Sequence, residues 1–281
     1  KVTGVQTCAL PILEIFKLIT PHQFGFQHST TTEHNLLHIT NYISKALNNG
    51  EYAIGIFLDL KKAFDTVSHS ILLKKLKHYG VKDKALDWFR SYLSDRKQQV
   101  DISGNLSEVL EILISVMQGS ILGPTLFKIM INDLVYASKL ESSLFADDTQ
   151  GLAKGKKLSE LIDFVNEELV KWATWFRANK LMVNTSKTKY IIFHTRGKKL
   201  DFEGRQVLYN DNEPDVPQNP ALITALDRIH DNHTQQDCRS YKLLGIHFDE
   251  HLNFNANTEV LRSKLAKSIY LINREIGRAH V

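Results

Sequence analysis

The sequence predicts an α+β fold, an antiparallel sheet with helices on one face. Three observations predict it. Glu51 to Leu60 is a short apolar run rich in Ile, Phe and Leu, Leu144 to Leu152 reads strand, turn, strand, and from Leu158 apolar residues recur at helical spacing. Strands and helices alternate irregularly, without the repeating units of a doubly wound sheet.

Taken in order, the run at 51–60 is bounded by Asn48-Asn49-Gly50 before and Lys61-Lys62 after, as a buried strand should be. Ser70 is placed to cap a helix whose Leu72, Leu76 and Tyr79 share a face and which stops at Gly80. Val81, Ala85, Phe89 and Tyr92 repeat the period on a second helix, ending near Asp95. Residues 97–103 and 107–116 alternate as two strands around Ser103-Gly104-Asn105, a hairpin. Gly119 to Ala137 is a helix with a Gly-Pro interruption in its first turn, where proline is tolerated. Apolar positions 158, 161, 162, 165, 169, 172 and 176 make a long amphipathic helix closing near Asn179, and Lys189 to His194 is a further strand. Residues 201–240 show little periodicity and read as a loop-rich insertion. Tyr241 to Phe248 returns to strand, and Leu261, Leu265, Ile269 and Ile272 mark a last helix.

The 281 residues are 43% hydrophobic and 23% charged with a net charge of +4, an ordinary globular composition that permits a nucleic-acid partner without demanding one. Two cysteines, Cys8 and Cys238, cannot make a disulfide framework, which favours a reducing compartment. No apolar run approaches the roughly 20 residues of a membrane span, so no membrane partner is expected.

Three carboxylates stand out. Asp59 ends a buried strand, and Asp147 and Asp148 sit at a hairpin tip. A carboxylate ending an apolar strand is poorly solvated and needs a counter-charge. Magnesium is satisfied by oxygen ligands and keeps positions open for phosphate oxygens. Two such ions about 4 Å apart can activate a hydroxyl and stabilise a leaving pyrophosphate. Taken singly, an Asp-Asp pair is common turn chemistry and an Asp ending a strand is a common helix cap.

The combination is more specific. Phe57-Leu58-Asp59-Leu60-Lys61-Lys62-Ala63-Phe64-Asp65-Thr66-Val67-Ser68-His69 resembles motif A of LINE-type (non-LTR, jockey/CR1-like) reverse transcriptases. Gln118-Gly119-Ser120-Ile121-Leu122-Gly123-Pro124 resembles motif B, and Leu144-Phe145-Ala146-Asp147-Asp148-Thr149 resembles motif C. Trp175-Phe176, Asn179-Lys180-Leu181 and Asn184-Thr185-Ser186-Lys187-Thr188 resemble motif D, and Tyr241-Lys242-Leu243-Leu244-Gly245-Ile246 resembles motif E. Gln23-Phe24-Gly25-Phe26 resembles the family's entry to the palm, and all stand in the family's order.

The resemblance implies a right-hand polymerase palm with two Mg²⁺ ions, Mn²⁺ being a possible substitute, acting on an RNA template, a DNA primer and dNTPs. Asp59 and Asp147 would be the main metal ligands, with Asp148 supporting. Phe64 would be the steric gate against a 2′-hydroxyl, a role that spacing alone leaves open against core packing. Gln118 and Gly119 would approach the nucleotide and template, Lys187 would donate a proton to pyrophosphate unless it is simply a solvated surface lysine, and Leu244 and Gly245 would grip the primer. The basic residues Lys154, Lys156, Lys157, Lys187, Lys189, Arg196, Lys198 and Lys199 divide between a solvated face and contacts to the template–primer backbone. A cytoplasmic and nuclear ribonucleoprotein would follow, with the oligomeric state left open.

The resemblance also divides the chain: 13–50 a fingers remnant, 51–200 palm, 201–240 insertion, 241–254 primer-grip hairpin, 255–274 the start of a thumb. Residues 1–12 and 275–281 resemble a sequencing adapter translated from its two strands. Codons GAG ATC GGA AGA GCA CAC GT encode Glu275 to Val281, and their reverse complement contains codons for Thr7-Cys8-Ala9-Leu10-Pro11-Ile12. Met117 stands where the family has proline, which predicts a looser turn before Gln118. His230, His233, Cys238 and His247 match no familiar zinc spacing, and zinc is not expected there. The alternative readings are a dead or domesticated relic that only binds RNA and a group II intron maturase.

Overall fold

The structure is a computed structural model that describes residues 18–27, 30–117, 119–212, 218–229 and 240–279, with side chains to 272. The stretch 1–12 lies outside the described residues. In chain order the elements are α1 (Thr32–Asn48), β1 (Tyr52–Leu58), α2 (His69–His78), α3 (Asp83–Leu93), β2 (Lys97–Gln98), β3 (Asp101–Ile102), β4 (Asn105–Leu106), β5 (Leu110–Glu111) and α4 (Gly123–Ile131). They continue as β6 (Glu141–Phe145), β7 (Asp148–Gly155), α5 (Leu158–Ala178), β8 (Lys189–Phe193), β9 (Leu208–Asn210), β10 (Ile223–Ala225), β11 (Asp227–Ile229), β12 (Tyr241–Leu243), β13 (Ile246–Phe248) and α6 (Asn255–Ala279).

The main sheet runs β11-β8-β1-β7-β6. Its pairs are antiparallel except the edge pair β8–β11, which is parallel. All seven residues of β1 are buried, because the strand is central and covered on both faces. Ile54, Ile56 and Leu58 share one core with apolar residues of α2 to α5, among them Leu72, Phe89, Phe127 and Trp172. Ala53 and Phe57, with Ile191 and Phe193 of β8, share a second core with Ile39 and Ile43 of α1 and with Leu243 and Phe248 of β12 and β13. Helices on one face alone is therefore corrected: α1 covers the other. The unalternating run in β1 carried this information, since a half-exposed strand would alternate.

Several boundaries moved for local reasons. The helix assigned to 119–137 begins at Gly123, with Pro124 in its first turn, because Gly119 is left-handed (φ 78°). It ends at Ile131, followed by a single 3₁₀ turn at Leu134–Tyr136. The helix expected from a Ser70 cap begins at His69, with Ser68 at the N-cap position and its hydroxyl 3.1 Å from that of Ser70. The expected hairpin around Ser103-Gly104 forms, but as two short pairs, β3–β4 and β2–β5. All four strands are exposed, so no buried face lengthens the ladders. The loop-rich stretch 201–240 contains β9, β10 and β11. β9 is tied to α5 through Asn166, which accepts from the Leu208 N–H (2.9 Å) and donates to the Gln206 carbonyl (2.9 Å). α5 buries the apolar stripe expected of it, from Leu158 to Phe176. The stripe of α6 forms, but Leu261, Leu265, Ile269 and Ile272 are exposed. No helix among the described residues is long and apolar enough to cross a membrane.

Candidate active site

β1 and β7 deliver the carboxylates to one end of the sheet. Leu58 pairs with Thr149, so one step further Asp59 comes opposite Asp148. β6 and β7 form a hairpin in which Phe145 pairs with Asp148, leaving Ala146-Asp147 as a two-residue loop. Ala146 has φ 57° and Asp147 is not left-handed, the pattern of a type II′ turn in which the first central position usually holds glycine. A non-glycine residue there costs on the order of 1–3 kcal/mol and persists only where surroundings impose it.

The surroundings are the segment Gln23 to Phe26. Phe24 donates to the Leu144 carbonyl (2.7 Å) and Leu144 donates to that of His22 (2.9 Å), adding a short parallel bridge to β6. The buried Gln23 side chain accepts from the backbone N–H of Gly25 (2.8 Å) and of Ala146 (3.2 Å). Gly25 itself is so close that a Cβ would lie 2.4 Å from the Ala146 nitrogen. The motif at 23–26 is thus the brace of the Asp147-Asp148 turn.

Asp147 and Asp148 are exposed as residues, yet the Asp148 carboxyl is pushed up to about 6. Burial of the carboxyl is the main cause, followed by the charges of Asp147 and then Asp59. Three carboxylates therefore crowd one another, which is the donor set a hard divalent cation requires. Tyr241 stands beside them. Its hydroxyl is pushed up to about 12 by burial and then by Asp148 and Asp59, and its ring stacks on Phe57 at 4.3 Å.

Asp59 is anchored through its backbone. Its N–H donates to the Thr188 hydroxyl (3.3 Å) and its carbonyl accepts from Asn184 (2.8 Å). Thr188, fully buried, donates in turn to the Asn184 carbonyl (2.9 Å). The exposed Lys187 is thereby held one residue from the anchor of Asp59. Sequence reasoning assigned this stretch to a motif but missed Thr188 and Asn184 as anchors, since a backbone contact leaves no pattern in residue type.

Phe64 is half-buried and its ring stacks on Phe127 of α4 at 4.7 Å. Gln118 lies outside the described residues. Gly119 is selected by its left-handed φ of 78°, since a Cβ would meet nothing within 4 Å. The Met117 carbonyl accepts from the Ser120 hydroxyl (2.8 Å), whose oxygen accepts from the Gly123 N–H (2.9 Å). Leu244 (φ 47°) and Gly245 (φ 93°) form a two-residue loop between β12 and β13, with both positions left-handed as in a type I′ turn.

The basic cluster is partly engaged within the chain. Lys154 faces Glu51 (4.0 Å), Lys157 faces Glu160 and Glu203, Lys189 pairs with Asp227, and Lys198 donates to the Gly50 carbonyl and lies over the Tyr52 ring. Four of the eight basic residues thus have partners within the chain. His230, His233 and Cys238 lie outside the described residues, and His247 bonds to the Ser240 hydroxyl (3.0 Å).

Comparison with known proteins agrees with this geometry. Residues 3–248 match the family model described as reverse transcriptase (RNA-dependent DNA polymerase). The chain is 30% identical over 271 residues to the RNA-directed DNA polymerase from mobile element jockey of Drosophila melanogaster, covering 92% of this chain and 27% of that protein. It is 27% identical to the probable RNA-directed DNA polymerase from transposon X-element of the same fly, covering 91% of this chain and 26% of that protein. The chain thus spans about a quarter of the length of these relatives. Among solved structures, an apo telomerase from Candida tropicalis shares the fold with a TM-score of 0.54 at 14% identity, over 70% of this chain and 41% of that one. Matched over most of its length, the chain belongs to the reverse transcriptases, as a domain of the non-LTR retrotransposon kind.

Proposed function

We propose that the chain carries the polymerising centre of an RNA-directed DNA polymerase, with Asp59, Asp147 and Asp148 holding two Mg²⁺ ions, for which Mn²⁺ can substitute. The observation that carries the reading is the raised pKa of Asp148, whose causes include both other aspartates: the three share one unneutralised site. When bound, the ions lower the pKa of a primer 3′-hydroxyl and neutralise the departing pyrophosphate.

The chain's own residues orient the reactants. The Leu244-Gly245 turn holds the primer end, a role supported by its lying on the hairpin whose Tyr241 stands beside Asp59 and Asp148. Phe64, whose ring stacks on Phe127, excludes a 2′-hydroxyl. Gln118 and Gly119 contact nucleotide and template, and Lys187 donates a proton to pyrophosphate. The partners are an RNA template, a DNA primer and dNTPs, in a ribonucleoprotein of cytoplasm and nucleus. A Candida tropicalis telomerase solved with a telomeric RNA fragment shares the fold (TM-score 0.50, 14% identity, 68% of this chain, 34% of that one).

Primer extension on an RNA template tests the assignment. Asp147→Asn is expected to lower extension by at least about a hundredfold, and equal activity would overturn it. Salt-dependent RNA binding without any extension by the unsubstituted chain would favour the binding-only relic. Phe64→Val should admit ribonucleotides, whereas unchanged discrimination would return Phe64 to core packing.

A further inference from the structure

Away from the three aspartates, His22, His38 and Glu141 meet from three parts of the chain: the turn before α1, α1 itself and the first residue of β6. Glu141 Oε1 lies 3.2 Å from His38 Nε2 and 3.7 Å from His22 Nδ1, and ligand atoms of all three lie within 4.8 Å of one another. Their side chains are 36%, 29% and 34% exposed, so the cluster is reachable by an ion without lying on open surface.

The His38 Nε2 atom is buried and faces the Glu141 carboxylate at 3.2 Å. Two imidazoles and a carboxylate converging on one point offer the mixed nitrogen and oxygen donor set that zinc-class ions take. Metal–ligand bonds of about 2.0–2.1 Å in a tetrahedron put neighbouring donors about 3.3–3.4 Å apart, and two of the three edges are already near that length. Imidazole nitrogen selects zinc-class ions over magnesium.

We propose that His22, His38 and Glu141 bind one transition-metal ion of the zinc class, with a fourth position open to water. The site is separate from the carboxylates that serve polymerisation and differs from them in donor type. Its placement gives it a structural consequence. Glu141 begins the strand that ends at the Asp147 turn, and the His22 carbonyl accepts from Leu144 on the same strand. The ion would fasten α1 and the Gln23 brace to β6. The other such cluster, His194, Glu250 and His251, is a poorer candidate because Arg228 lies 2.9 Å from Glu250 and supplies the positive charge there.

The test is cobalt titration of the chelator-stripped chain without nucleic acid, followed by visible absorption. One equivalent should produce a tetrahedral d–d band that zinc abolishes. His38→Ala and Glu141→Gln should each weaken cobalt binding by at least about tenfold. His251→Ala and Asp147→Asn should leave the band unchanged, so that failure of the polymerase reading would not be mistaken for failure here. No band, an equal band in His38→Ala, or a band lost in His251→Ala would overturn the proposal. Should either variant fold poorly, His22→Ala replaces it at the most exposed ligand. Zinc should also raise the melting midpoint of the unsubstituted chain and not of Glu141→Gln, and an equal rise in both would count against the site.

Discussion

Two hairpins face the same end of the sheet, and they are held by opposite means. The β12–β13 hairpin turns on Leu244-Gly245, with both residues left-handed and a glycine at the second position, so much of its shape is written in the turn itself. The β6–β7 hairpin turns on Ala146-Asp147, where the left-handed residue is an alanine. Local chemistry does not favour that turn. It is imposed by Gln23 and Gly25, more than 100 residues upstream, through the Ala146 N–H and a backbone approach that leaves no room for a Cβ. The difference teaches that the carboxylate turn depends on the rest of the fold, while the Leu244-Gly245 turn depends largely on its own sequence.

The sharpest way to break that contrast is Gly25→Ala. A Cβ 2.4 Å from the Ala146 nitrogen must push one backbone away, costing about 1–3 kcal/mol. A shift of about 1 Å in Asp147 would lower primer extension by about a hundredfold. Unchanged melting and extension would show that the brace is dispensable. Gly245→Ala should be milder and local. A left-handed alanine costs about 1–2 kcal/mol, which a denaturant titration would read, and cobalt or magnesium binding elsewhere should not change. A loss as large as that of Gly25→Ala would erase the distinction between the two turns.

The smallest effect has the opposite sign. The Asp148 pKa is raised from 3.8 to about 6, so its ionisation opposes folding. The stability this group contributes is fully present below about pH 4 and is lost as pH rises through about 6. Asp148→Asn should therefore match the unsubstituted, metal-free chain in stability near pH 4 and exceed it above pH 6. The gain should be about 1 kcal/mol once solvent screening is allowed for. Melting curves across that range would show the divergence, while extension falls. A variant less stable at pH 7 would mean that Asp148 is not repelled by Asp59 and Asp147.

Much of the architecture was legible. The run at 51–60, the Asp147-Asp148 hairpin and the stripe of α5 all formed, because continuous burial, strict turn spacing and a 3.6-residue period are properties of a segment read alone. α1 was legible in principle, since Ile39, Ile43 and Ala46 recur on one face, yet it was absent from the expectations. The region 97–116 was over-read. Its alternation is real, but none of its strands is buried against anything, and alternation without a partner surface yields only two-residue ladders.

By itself the sequence determined the α+β class, the order of the motifs and the identity of the three aspartates. Each is encoded in residue type at fixed local spacing. The tertiary structure decided what those residues experience. It set Asp59 opposite Asp148, raised one carboxyl through burial and then the charges of two others, and tied the Asp59 N–H to the Thr188 hydroxyl. It also closed His22, His38 and Glu141 into one cluster across more than 100 residues of chain. Distances and dielectric surroundings belong to packed chains, and no pattern along a single strand or helix specifies them.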